Sequence, residues 1–255
     1  MSQTPQTPAA LVHLEVEGAV ATITLDSPHN RNALSTQLVT ELVEHLAAAG
    51  ADPAVRVVVL RSSGKVFCSG ADLSQAATGS MTDGARAIVA LQRQILTLPK
   101  PVVTVNLGAV RAGGIGIVAA ADVALSAETA TFALTEVKLG LAAAVISLTV
   151  FERMNSRAAS LAALGGAVFS GSQAAQWGLV TRAVPAEDLE AAVEEVVLEL
   201  ATGAAQGLRA TKELLNADLV ATLDAKGEAM ASLSASLFGS PEAKDAMVAF
   251  LSKKG

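Results

Sequence analysis

The sequence predicts an α/β fold that ends in an all-helical segment, and three observations carry that prediction. Short β-branched or alternating runs interleave with stretches of helical periodicity as far as position 185. From Ala186 onward every periodic run is helical, with no strand among them. The composition fits a large core: 51% of the 255 residues are hydrophobic and 16% charged, against roughly 25% charged in an average soluble chain.

The elements follow in order. Residues 1–10, MSQTPQTPAA, carry Pro5 and Pro8 among Thr and Gln and read as a disordered tail. Alternation from Leu11 to Leu25 on both sides of Glu17-Gly18 predicts a β-hairpin with its turn there. Ser35 caps a helix whose apolar face is Leu38, Leu42, Val43 and Leu46. Val55 to Leu60 reads as a buried strand, and Gly64 to Asp72 as a loop. Ala85 to Leu98 is a helix that stops before Pro99, and Pro101 to Val105 is another buried strand. A loop then leads to a small-residue helix from near Gly113 to near Asp122, followed by strands at Val123–Ser126 and Thr131–Leu134. The late helices are Ala186–Ala201, Gln206–Val220, Leu223–Phe238 and Pro241–Leu251.

Composition also removes function classes. A net charge of −6, no Tyr, one Trp and no long basic run leave neither an electrostatic footprint nor a stacking platform for nucleic acid. One cysteine, Cys68, makes no intramolecular disulfide and is too few for a Cys-based zinc site, which fits a cytoplasmic setting and no metal. Without a neighbouring activator it reads as a packed, inert thiol. The N-terminus lacks the charged and apolar regions of a secretory signal. The best apolar run, Leu139 to Phe151, is too short to span a bilayer, which needs about 20 residues.

Few residues are placed to do chemistry. His13, His29 and His45 have no sequence neighbour that would make them ligands or bases and read as structural or surface residues. Gly114-Ile115-Gly116-Ile117-Val118-Ala119, with Glu136 beyond it, satisfies the dinucleotide fingerprint. That motif needs a glycine turn directly after a strand, and here Asn106 to Gly113 intervene. The same glycines suit another use. If Gly113-Gly114 opens a helix, its unpaired N–H groups face outward at the positive end of the dipole, and a second donor from Ser69-Gly70-Ala71-Asp72 completes an oxyanion hole.

Phe67-Cys68-Ser69-Gly70-Ala71-Asp72-Leu73, Gly113-Gly114-Ile115-Gly116 followed by Asp122, and Phe132-Ala133-Leu134-Thr135-Glu136 with Gly140 resemble, in order and spacing, the crotonase family of enoyl-CoA hydratases and isomerases. Thr22 to Pro28 with Arg31-Asn32-Ala33-Leu34, and Trp177-Gly178-Leu179-Val180, are similar to it too. The resemblance implies a spiral of β-β-α units over residues 11–185 that holds an acyl-CoA site. Residues 186–255 would then be a helical region that builds homotrimers, often paired into hexamers. It implies a substrate of fatty acid metabolism delivered as a coenzyme A thioester, with no prosthetic group. Ala71 and Gly113 would hold the thioester oxygen, and Glu136 would be the acid/base. Arg31, Ala33, Lys65, Ser69 and Lys253 would contact coenzyme A, the last from a neighbouring subunit. Asp72 would fix its loop.

One departure bears on the reaction. Hydratases of the family commonly carry a first glutamate where this chain has Gly116, so either Glu136 both takes a proton from water and delivers one to C2, or a further residue helps. Leu134-Thr135-Glu136-Val137 with Leu139 to Ser147 resembles a subgroup that shares this glycine and is usually called hydratase, which puts hydration first. A Δ3,Δ2-enoyl-CoA isomerase working with one glutamate, and a non-catalytic acyl-CoA binding subunit, are the alternatives. Arg111, two residues before Gly113, reads as a salt-bridged loop residue, a role beside the thioester or a neighbouring subunit being the alternative.

Overall fold

The computed structural model describes residues 9–72 and 81–252, so most of the expected tail, Leu73 and Lys253 lie outside the described residues. The hairpin forms as its alternation requires: β1 (Val12–Glu17) pairs antiparallel with β2 (Val20–Leu25). Gly18 turns the chain at a φ of 56°, with Ala19 completing the turn one residue later than Glu17-Gly18. Ahead of β1, the Ala9 carbonyl accepts from Gln37 Nε2 and the Leu11 N–H donates to Glu41 Oε2. Both acceptor and donor side chains sit on α1 (Thr36–Ala51), which Ser35 caps by accepting the Leu38 N–H.

Two sheets organise the core. The larger has the order β1-β2-β3-β5-β7-β10, where β3 is Val57–Ser62, β5 Val102–Asn106, β7 Val123–Ala127 and β10 Arg182–Val184. Beyond the hairpin its pairings are parallel. Strands buried on both faces need continuous apolar runs, and Val57 to Leu60 and Val102 to Val105 supply them, broken only by buried Thr104. The smaller sheet has the order β4-β6-β8-β9, with β4 Val66–Cys68, β6 Ala109–Arg111, β8 Thr131–Ala133 and β9 Phe169–Ser170. Strands β4 and β6 fall inside stretches whose sequence reads as loop. Three residues are too few to display alternation, and the partner strand makes the strand: Ala109 N–H donates to Lys65 O at 2.9 Å. Gly108 is needed beside that bond, since a methyl there would stand 1.7 Å from the same carbonyl oxygen.

The connections produce a spiral. β3 and β4 precede α2 (Met81–Thr97), β5 and β6 precede α3 (Gly113–Ala120), and β7 and β8 precede α4 (Ala144–Arg153). In each pair the first strand joins the large sheet and the second the small one, so successive β-β-α units stack in parallel. The uncharged stretch that follows folds as α5 (Ser156–Gly165), β9 and α6 (Gly171–Gln176), the last opened by a capping box between Ser170 and Gln173.

The C-terminal part is helical as expected: α7 (Leu189–Ala201), α8 (Ala205–Gly239) and α9 (Pro241–Ser252). The two helices expected over 206–238 are one. No glycine or proline interrupts Val220 to Leu223, and a narrow stripe of Lys212, Asn216, Leu219, Leu223, Gly227 and Ala231 stays buried along its length. That stripe packs close to α2, where a methyl at Gly227 would lie 2.7 Å from Val89 Cγ1. It is pinned by polar bonds as well. Lys212 Nζ reaches Asp122 Oδ2 at 2.7 Å and the carbonyls of Ile95 and Lys100. Asn216 donates to Asp122 Oδ1 and accepts from Arg153. No helix among the described residues is long and apolar enough to cross a membrane.

Candidate active site

Three parallel strands of the small sheet end side by side, and each delivers one group. β4 runs into Ala71, β6 into Gly113 and β8 into Glu136. The Leu34 N–H donates to Gly70 O at 2.8 Å in a parallel bridge between Leu34 and Ala71. That bridge leaves the Ala71 N–H without a partner among the described residues. Gly113 is the first residue of α3, so its N–H has no intrahelical acceptor. The two loops are fitted closely: a methyl on Gly70 would meet Ala112 Cβ at 2.9 Å, and one on Gly113 would meet Leu34 Cδ1 at 2.6 Å. Ala112, which joins β6 to α3, has φ 45° and ψ −119°, a glycine conformation that costs an alanine about 1–3 kcal/mol. Strain of this kind persists only where surrounding contacts hold it.

Glu136 opens a 3-10 turn, Glu136–Leu139, just beyond β8. Its Oε2 is fully buried and accepts no hydrogen bond. Burial pushes the carboxyl up to about 7, against a smaller opposing effect from its own N–H. At neutral pH such a group is close to half ionised and can both take and give a proton.

Ala71, Gly113 and Glu136 line one chamber of about 590 Å3, whose other walls include Val39, Met81, Ala85, Ile88, Ile146 and Phe238. A second chamber of about 570 Å3 is the more polar of the two, with His29, Arg31, Ser69, Arg111 and Thr135 in its lining. Ala71, Asp72, Ala112, Glu136 and Phe238 line both, so the carboxyl stands where they meet. Two unpaired N–H groups and one proton-exchanging carboxyl around a single space are equipped to polarise a carbonyl oxygen and move a proton beside it.

Of the residues expected at a coenzyme A site, Arg31, Ala33 and Ser69 line the polar chamber. Arg31 is exposed in a left-handed conformation at φ 59°, and Ser69 is tied to that loop through Arg31 O and Asn30 O. Lys65, just before β4, is exposed and lines neither chamber; its carbonyl accepts the Ala109 N–H. Lys253 lies outside the described residues. His13 pairs with Asp26 at 3.3 Å and His45 meets Val12 O at 3.1 Å, as structural roles require, whereas His29 lines the polar chamber. Cys68 is buried, and burial pushes its thiol up to about 12, an inert state. No group of His, Cys, Asp and Glu among the described residues is arranged to hold a metal.

Two readings of the sequence need correction. Arg111 makes no ion pair among the described residues: its guanidinium donates to Val110 O, Thr131 O and Thr131 Oγ1. The dinucleotide fingerprint cannot be dismissed by a long gap, since β6 ends just before α3. What excludes it is packing. Gly114 and Gly116 lie inside the helix against Cys68 and Ile146, with no turn left to approach a phosphate.

Sequence reasoning missed Ile146, Gln92 and Phe238. A methyl on Gly116 would stand 2.5 Å from Ile146 Cγ2 and 3.2 Å from Gln92 Oε1, so the position of the family's first glutamate is already filled. Gln92 is fully buried and satisfied, donating to Ile88 O and Val145 O and accepting from Thr149 Oγ1. The only hint was a glutamine on the apolar face of α2.

The profile of the "Enoyl-CoA hydratase/isomerase" family matches residues 15–255. An enoyl-CoA hydratase from Mycobacterium avium, solved as a crystal structure, superposes with a TM-score of 0.90 at 43% identity, covering 96% of this chain and 98% of that one. Mevalonyl-coenzyme A hydratase of Aspergillus fumigatus is 33% identical over 76% of this chain and 73% of its own length. The 1,2-epoxyphenylacetyl-CoA isomerase of Escherichia coli is 28% identical over 94% of both chains.

Proposed function

Because the chain belongs to the enoyl-CoA hydratase/isomerase family, we propose that it adds water to a 2-enoyl-CoA thioester with Glu136 as its single acid/base. The observation that carries this reading is a carboxyl held near 7 at the meeting of an apolar chamber and a more polar one, beside two unpaired N–H groups. Ionised Glu136 takes a proton from water as the water oxygen bonds to C3. The C2–C3 electron pair moves onto the thioester oxygen as an enolate, held by the N–H groups of Ala71 and Gly113. Glu136 then returns its proton to C2, and the carboxylate is regenerated. The donors strengthen as charge grows on the oxygen, so they favour the transition state over the ground state. The hydratase names of relatives at 33% and 43% identity support the choice of water as the nucleophile.

The filled Gly116 position favours a second reading, a Δ3,Δ2-enoyl-CoA isomerase. There one carboxylate is enough: it removes a proton from C2 of a 3-enoyl thioester and returns it to C4. Incubation with crotonyl-CoA and, separately, with a 3-enoyl-CoA separates the two. Formation of 3-hydroxyacyl-CoA supports hydration; conversion of the 3-enoyl to the 2-enoyl thioester without hydration supports the isomerase. Acyl-CoA binding with no turnover of either, and no deuterium entering C2 from heavy water, would mean a binding subunit. The same reading includes contacts of Arg31, Ala33 and Ser69 with coenzyme A, a cytoplasmic setting and assembly into trimers.

A further inference from the structure

Ala112, which joins β6 to α3, keeps an alanine in a conformation suited to glycine, with φ 45° and ψ −119°. The residue is half-buried, so its methyl gains little from leaving water to offset that strain. The torsions around this methyl aim both proposed donors: ψ of Ala112 directs the Gly113 N–H, and ψ of Gly70 directs the Ala71 N–H. Each donor peptide is anchored at its carbonyl. Gly70 O accepts the Leu34 N–H and Ala112 O accepts the Ile115 N–H, both at 2.8 Å. A trans peptide is planar with its N–H opposite its carbonyl, so the Ala71 and Gly113 N–H groups point away from those anchors. The anchors belong to different elements, one just before α1 and the other in α3. The Ala112 methyl connects the two: it fills the place a side chain on Gly70 would take, 2.9 Å from an ideal Cβ there. Gly70 itself stands at φ 96°, with its N–H on Cys68 Sγ at 3.4 Å.

We propose that Ala112 is a positioning residue, whose methyl, seated against Gly70, fixes the spacing of the Ala71 and Gly113 N–H groups around the thioester oxygen. The inference rests on the enoyl-thioester reading of the site. Donors of this kind act by being placed before the charge develops, and a misplacement of about 1 Å costs about 10²-fold in rate. Two peptides anchored on separate elements need a spacer to keep within that tolerance. Glycine at 112 would relieve the strain, but it would set two glycines face to face, each free to turn, and the donors would lose their common aim. The strained alanine is thus explained by what its methyl holds apart.

Infrared difference spectra of bound butanoyl-CoA, labelled with heavy carbon at its thioester carbonyl, test this without any turnover. Hydrogen bonds to the oxygen weaken the C=O bond, so the wild-type protein should move the bound band below its free position. Ala112→Gly should lose at least about half of that displacement, as donors out of place polarise the carbonyl less. Its kcat on crotonyl-CoA should fall about 10- to 100-fold while KM changes less than about 3-fold. Its thermal midpoint should stand at or above that of wild type, because the strain is gone. Ala112→Ser keeps a Cβ against Gly70 and should retain most of the displacement and of kcat. An unchanged band in Ala112→Gly overturns the proposal, as does an equal loss in Ala112→Ser. Loss of the displacement together with a lower thermal midpoint marks a merely structural residue and overturns it too. Failure of the hydration reading looks different: no turnover of enoyl thioesters by wild type, with the Ala112-dependent band displacement intact.

Discussion

At the scale of single residues, the chemistry proposed for Glu136 comes with a cost to the fold. Its folded value of about 7 lies above the ordinary 4.5, so the native state favours the protonated form. Catalysis that begins with the ionised carboxyl should show kcat/KM rising about tenfold per pH unit below pH 7 and levelling above it. Stability runs the other way. It is fully present below the unfolded value and is lost as pH rises through about 7, because the ionised group is then held out of water. Glu136→Gln should therefore stabilise the fold by about 1–2 kcal/mol at pH 8, allowing for the side chain's partial exposure, and by almost nothing at pH 4. Urea unfolding at both pH values checks this; equal stability of the two proteins at pH 8 would contradict it. Glu136, Ala71 and Gly113 were legible in the sequence because each sits in a short motif of fixed spacing. Ile146, Gln92 and Phe238 were not, since they reach the site only when α2, α4 and α8 pack together.

At the scale of elements, the contact between α3 and α4 decides what the site lacks. Gly116→Ala should cost about 1–3 kcal/mol by overpacking against Ile146. Adding Ile146→Ala should return part of that cost, a coupling that a double-mutant cycle in denaturant would measure. Strict additivity would mean the two do not share the space. The alternating hairpin, the capped α1 and the apolar runs of β3 and β5 were read directly from periodicity. Strands β4 and β6 were hidden because three-residue strands owe their conformation to neighbours distant in sequence, as the Lys65–Ala109 bond shows. The division of α8 was an error of the same origin: its buried stripe includes Lys212, Asn216 and Gly227, which carry no hydrophobic signal.

For the whole molecule, α8 connects the core to the apolar chamber that Glu136 lines. Its first third is locked by Lys212, 5% exposed, on Asp122, and its last turns bring Ser234 and Phe238 to the apolar wall. Lys212→Met should destabilise the fold by about 3–5 kcal/mol, because it strands Asp122 beside Asn216 without its cation. It should also raise KM more than it lowers kcat, since the wall moves and Glu136 does not. Steady-state kinetics beside urea melts would show both effects; an unchanged KM would separate α8 from the site. The β-β-α spiral was legible only through family resemblance, as its units differ in length and leave no fixed period. Trimer formation predicts a light-scattering mass of three or six times the 25.7 kDa chain, and a monomer would contradict it. Leu214 and Leu215 on α8, 81% and 73% exposed, are apolar surface that such an assembly would cover. The most direct test of the central claim is hydration of crotonyl-CoA by wild type and Glu136→Gln, followed as loss of enoyl-thioester absorbance. A single acid/base predicts a fall of at least about 10²-fold with binding retained; a variant that hydrates as fast as wild type would contradict the account.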